Sequence, residues 1–338
     1  MKKTIILSTL IALSSFASAS LLDDAKKAGL TPIPTNSEEL TKLIDNPKNP
    51  LNEAKVKLGK ALFFEPRLSK SNLISCNTCH NLATGGIDGV SSAIGHKWTS
   101  NPHHLNSPTV YNAVFMERQF WDGRDPDLEA QAQGPMQASP EMAISKEMAV
   151  ERISSMAGYQ EQFKKAFNED NITFKKIADA IGAFERTLVT PSPFDKFLDG
   201  DTKALSAEEQ EGLKIFIAKG CTACHTGIGI GGGMQKFPLV KPYKYANIGD
   251  FKGDKNGMVK TPTLRNIAQT APYFHNGAVW SLEEAVKIMG ETQLGMEIND
   301  KDTASIVTFL KALDGEMPTI IYPKLPAVTS TTPKPEVK

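Results

Sequence analysis

All four cysteines of this 338-residue chain fall in two copies of one pattern, Cys-x-x-Cys-His. The first copy is Cys76, Asn77, Thr78, Cys79, His80; the second is Cys221, Thr222, Ala223, Cys224, His225. A CxxC pair puts two sulfurs on one turn of backbone, and the following histidine aims its imidazole at whatever the sulfurs hold. This is the attachment pattern of c-type haem, in which two thiols add to the vinyl groups and the histidine ligates the iron. A pair of disulfides would leave both histidines unexplained. A four-cysteine zinc site rarely draws on motifs 145 positions apart. The chain is therefore expected to fold around two covalent c-type haems. Cys76, Cys79, Cys221 and Cys224 would attach them, with His80 and His225 as one axial ligand each.

The first residues agree with this chemistry, which takes place outside the bacterial cytoplasm. Lys2 and Lys3 precede a short apolar run, Ile5 to Leu13, and Ala17-Ser18-Ala19 reads as a cleavage site. Residues 1–19 are read as a signal peptide, and the address as the periplasm of a Gram-negative cell. The run is too short for a membrane anchor. The whole chain has 38 basic and 38 acidic residues, and losing Lys2 and Lys3 leaves a slight acidic excess. That balance argues against nucleic acid or an anionic membrane as partner.

A repeat organises the rest. At a constant offset of 154, Ser107-Pro108-Thr109-Val110-Tyr111-Asn112 matches Thr261-Pro262-Thr263-Leu264-Arg265-Asn266, and Phe120-Trp121-Asp122-Gly123 falls on Phe274-His275-Asn276-Gly277. The economical reading is a duplicated haem domain. Apolar residues at helical spacing predict helices over Asn52–Phe63 and Ala207–Lys219, each just ahead of a haem motif. Ser206 with Glu209 forms a capping box for the second. Further helices are expected at Lys146–Ser155, Gln160–Phe167, Thr173–Leu188, Ser281–Met289 and Asp300–Leu313, and no long run alternates as a strand would. The fold class is mostly α: two tandem cytochrome c-like domains, over 20–190 and 191–322, divided where Thr190-Pro191-Ser192-Pro193 interrupts the helical pattern. Residues 323–338, rich in Pro, Thr and Lys, read as a disordered extension or a surface strap.

The second axial ligand decides the chemistry of each iron. The other histidines are His96, His103, His104 and His275, and the methionines near the second motif are Met234, Met258, Met289 and Met296. The residues alone leave these choices open.

The ordered series of motifs resembles the bacterial di-haem cytochrome c peroxidases, with the MauG-type enzymes as relatives. It covers roughly Leu51 to Leu313. It comprises CNTCH at 76–80, GGID at 85–88, Gly95-His96, LNSPTVYNA at 105–113, FWDGR at 120–124, EAQAQGPM at 129–136 and PEM at 140–142. CTACH at 221–225, TPTLRN at 261–266, TAPYFHNG at 270–277 and SLEEAVKIMG at 281–290 complete it.

The resemblance implies that the His80 haem is the low-potential peroxidatic one, capped in its resting form by His96. It implies that the His225 haem is the high-potential electron-entry one, with Met289 as second ligand. Glu141 matches the distal acid-base residue, Gln131 its partner, Trp121 the tryptophan between the haems, and His275 a histidine close to the peroxidatic haem. Asn106, Thr270 and Pro272 match the ligands of one calcium ion, the last two through backbone carbonyls. The implied reaction reduces hydrogen peroxide with electrons from a monohaem cytochrome c or a cupredoxin, in a homodimer. Two rivals are a MauG-like enzyme that oxidises a protein partner and a di-haem electron carrier. A tyrosine replaces the methionine ligand in the MauG group, so Met289 argues against the first; Gln131, Glu141 and the FWDGR string argue against the second.

Overall fold

The computed structural model describes residues 20–336; the expected signal peptide lies outside them. The fold is mostly helical, as expected. Helix Glu53–Phe63 is capped by Asn52 and helix Phe174–Glu185 by Thr173, each side chain accepting a bond from a backbone N–H of the first turn. Ser206 and Glu209 form the expected capping box on Ala207–Ala218. Helices Lys146–Ser154, Ala157–Phe167, Leu282–Met289 and Asp300–Lys311 fall where periodicity predicted them, with ends shifted by at most a turn. At the expected boundary, Pro193 occupies the first turn of a short helix, Pro193–Leu198, rather than ending one. Two short strands, Met234–Lys236 and Met258–Lys260, pair antiparallel and set Lys260 opposite Met234.

The buried apolar residues form two main cores. One is built on Leu58, Leu62, Phe63, Ile177, Ile181 and Phe184; the other on Leu213, Phe216, Ile306, Phe309 and Leu310. Each centres on a crossing of two helices at a glycine. A Cβ on Gly59 would lie 1.8 Å from the carbonyl oxygen of Ala180, and one on Gly212 would lie 2.1 Å from that of Ser305. Only glycine allows backbones so close.

The repeat is visible in the backbone. Asn112 and Asn266 both take left-handed φ, at 60° and 58°, and each opens a short 3-10 turn. Phe120 and Phe274 follow at 67° and 68°, a conformation that bulky residues rarely adopt. Thr109 Oγ1 donates to Gly85 and Thr263 Oγ1 to Gly229, both at 2.7 Å. A bidentate pair within the second unit, Arg265 to Asp195 at 2.7 and 2.8 Å, is fully buried. Asp195 also accepts from Ile33 N and Ser192.

The two ends of the chain cross over between the two cores. Residues 20–27 are helical, and Leu21, Ala25 and Leu30 pack in the second core. Leu21 and Ala25, four positions apart, present one apolar face there, and Leu30 bridges to Gly227. Conversely Met317, Ile320 and Leu325 pack on the first core. The tail is a strap: Arg67 donates to Pro326 O, Arg152 to Lys334 O, and Glu336 N to Lys70 O.

Candidate active site

Each CxxCH motif lines its own cavity. Cys76, Cys79 and His80 border one of about 360 Å³. Cys221, Cys224 and His225 border another of about 170 Å³, walled mainly by Phe216, Phe237, Leu282, Val286, Ile306 and Leu310. His80 Nδ1 lies 2.9 Å from Pro108 O, and His225 Nδ1 lies 3.3 Å from Ile230 O. A carbonyl on Nδ1 fixes the ring and leaves Nε2 for a metal. Burial lowers the imidazole of His80 below its usual range and that of His225 to about 4, so both rings are neutral, as a ligand must be. Two thiols and one neutral imidazole around an apolar cavity are the donor set of a c-type haem, so the residues fit two such groups.

The cavities share a wall. Trp121, Lys260, Pro262, Ile267, Tyr273 and Phe274 border both. Trp121 is buried, and its Nε1 donates to Asn106 O at 2.9 Å.

Gln131, at the end of helix Leu128–Gln131, lines the first cavity together with Glu141. Neither side chain has a hydrogen bond to another described residue. Burial raises the Glu141 carboxyl above the usual carboxylate range, against the charge of Arg124. Arg124 itself stacks 3.4 Å over the Phe120 ring and pairs with Asp122 at 2.8 Å.

Asn106, Thr270 and Pro272 also line the first cavity. Asn106 Nδ2 donates to Pro272 O at 2.7 Å and to Phe274 O at 3.3 Å.

His96 and His275 are both buried. His96 does not line the first cavity. Its backbone N donates to Glu141 O at 2.8 Å, and its ring is buried with Nδ1 unpartnered. The close seat of Gly95, whose Cβ would meet Pro140 O at 2.0 Å, holds the segment there. His275 lines the second cavity and stands against Trp121 and Phe251, which line the first. It is ringed by Trp121, Phe237, Tyr243 and Phe251 at centroid distances of 5.2–6.3 Å. Met289, the last residue of its helix before a π-helical turn at Gly290–Leu294, lines the second cavity, whereas Met234, Met258 and Met296 do not. His103 pairs with Asp250 at 3.0 Å beside the first cavity.

Sequence reading missed two groups. Glu185 lines the first cavity, 5% exposed, with Oε2 unpartnered. Lys260, 6% exposed, lies in the shared wall. Only the charge of Lys260, set immediately before TPTLRN, offered a signal.

The family model for di-haem cytochrome c peroxidase matches residues 53–203, and that for cytochrome c matches residues 209–314. The chain is 46% identical to the cytochrome c551 peroxidase of Pseudomonas aeruginosa, over 94% of either chain. It belongs to the di-haem cytochrome c peroxidases. The peroxidase of Nitrosomonas europaea is 47% identical over 84% of this chain and 87% of its own. Among solved structures, a MauG-like protein associated with microbial copper homeostasis superposes with a TM-score of 0.71 at 28% identity, over 80% of this chain and 93% of that one. This peroxidase is thus an oxidoreductase with two c-type haems, one for each cavity. Among its described residues, no helix is long and apolar enough to cross a membrane.

Proposed function

We propose that the enzyme reduces hydrogen peroxide to two waters, with two protons and with two electrons from a small cytochrome c or cupredoxin. The observation that carries this is the pairing of Gln131 and Glu141, both unpartnered, in the cavity of Cys76, Cys79 and His80. The haem bound there supplies an iron position for a peroxide oxygen and a route for electrons.

The residues supply the proton chemistry and the orientation. Splitting the O–O bond needs a proton taken from one oxygen and given to the departing one. A carboxyl raised by burial, as Glu141 is, suits both steps. The Gln131 amide can donate to one peroxide oxygen and accept from the other, and so orient the bond. His80 would hold the first iron. His225 and Met289 would hold the second, and Trp121 fills the wall between. His96 would cap the first iron in a resting form and would have to leave for peroxide to bind. Gly85, Gly86 and Gly89, all at left-handed φ, would serve as hinges for the segment leading to His96.

A calcium ion between the two units belongs to the same reading. Thr270 and Pro272 would give carbonyl oxygens, and the Asn106 amide would present Oδ1 where its Nδ2 now donates; such oxygens suit a hard cation. So do the periplasmic address given by residues 1–19, and a homodimer, which sedimentation would reveal.

The test is peroxide-dependent oxidation of a reduced small cytochrome c by the holoenzyme with one haem reduced. Turnover that falls by about 10²–10⁴ in Glu141→Gln supports the reading. Absence of turnover in the unaltered enzyme, with both irons six-coordinate, would instead indicate an electron carrier.

A further inference from the structure

Lys260 ends the strand Met258–Lys260, and the backbone around it is held from two sides. Its N–H donates to Trp121 O at 2.8 Å, and the next residue, Thr261, donates to Gly233 O at 2.8 Å. The residue is 6% exposed and borders cavity space on both sides. Its side chain has no hydrogen bond and no ion pair to any described residue. Asp122 acts on it through space, but that carboxylate is bonded to Arg124. Burying a lone ammonium is costly, and such groups are paired in native proteins.

The surroundings say what kind of partner is missing. Lys260 borders both cavities, and among the described residues of the second it is the only one carrying a full charge, beside neutral rings, thiols, apolar groups, Thr261 and the amides of Gln235 and Gln293. Burial pushes its ammonium down to about 8; an adjacent anion would restore it. Each haem carries two propionate carboxylates, which are the anions these cavities receive.

We propose that Lys260 is the propionate anchor of the haem in the second cavity, and that its charge widens the gap in reduction potential between the two haems. The proposal rests on the two-haem reading above. A cation beside a haem stabilises the reduced form, since reduction adds an electron. Lys260 therefore raises the potential of the second haem, at which electrons are proposed to enter.

Haem content and midpoint potentials would be measured on the unaltered holoenzyme, Lys260→Met and Lys260→Arg. With two haems in each, the second midpoint is expected to fall in Lys260→Met, by more than the first, and to recover in Lys260→Arg. An unchanged second midpoint in Lys260→Met with both haems attached overturns the anchor. Fewer than two haems in the unaltered chain would overturn the two-haem reading itself, a result distinct from an unmoved potential. Should Lys260→Met fail to fold, an experimental structure of the unaltered holoenzyme decides. Nζ within ~4 Å of a propionate oxygen supports the pairing, and Nζ turned away from every propionate overturns it.

Discussion

Asn112 and Asn266, equivalent residues of the internal repeat, both donate their side-chain amides to the hydroxyl of Thr190, at 2.7 and 2.8 Å. All three residues are fully buried, and Thr190 N in turn donates to Asn112 Oδ1. One hydroxyl thus ties the two halves of the duplication at their junction. Thr190→Val keeps the shape but strands two buried amides, at about 1–3 kcal/mol each. Denaturant unfolding should show that loss; a midpoint equal to that of the unaltered protein would mean the amides find other partners.

The two helix crossings make a paired prediction. Alanine at Gly59 or Gly212 forces a methyl to 1.8 or 2.1 Å from a carbonyl oxygen, so the helices must separate at about 1–3 kcal/mol or more. Gly59→Ala should weaken the first core and Gly212→Ala the second. Proteolysis followed by mass spectrometry would locate the loosened half, and identical fragment patterns would refute the assignment.

Glu185 gives a pH dependence. Burial, aided by the charge of Glu129, pushes its carboxyl from 4.5 to about 8. Between those values the folded form keeps a proton that the unfolded chain has lost, so stability from this group falls as pH rises, by up to roughly 1.4 kcal/mol per pH unit. Glu185→Gln removes the slope. Its melting temperature should exceed that of the unaltered holoenzyme at pH 8 and approach it near pH 4.5. A variant less stable at pH 8 would show that the carboxylate has a stabilising partner there.

Calcium is testable by removal. With EGTA the covalent haems should stay attached while the melting temperature drops, and added calcium should restore it. Asn106→Ala should abolish that response. If chelation leaves melting unchanged, the Asn106, Thr270 and Pro272 cluster is a polar turn and nothing more.

Much of this architecture was readable because local chemistry carried it. Cys-x-x-Cys-His, the Ser206 cap with Glu209, and the repeated Asn positions each act within a few residues. The features that escaped depend on distant packing. Nothing in residues 20–27 says that Leu21 and Ala25 cover the second core. The sequence near His275 does not say which cavity the ring borders, and nothing near Glu185 or Lys260 announces a buried charge. The tail's proline content left extension and strap open; the carbonyls of Pro326 and Lys334 decide it by meeting Arg67 and Arg152.

The crossed termini bear on how the molecule is made. Ribosomes deliver the chain from its first residue, so Met317, Ile320 and Leu325 reach the core around Leu58 and Ile181 only when nearly the whole chain has been made. The earliest helix, meanwhile, waits for a surface synthesised some 180 residues later. Neither half can be finished alone. Loss of either end should therefore expose apolar surface on the half that is distant from it in sequence.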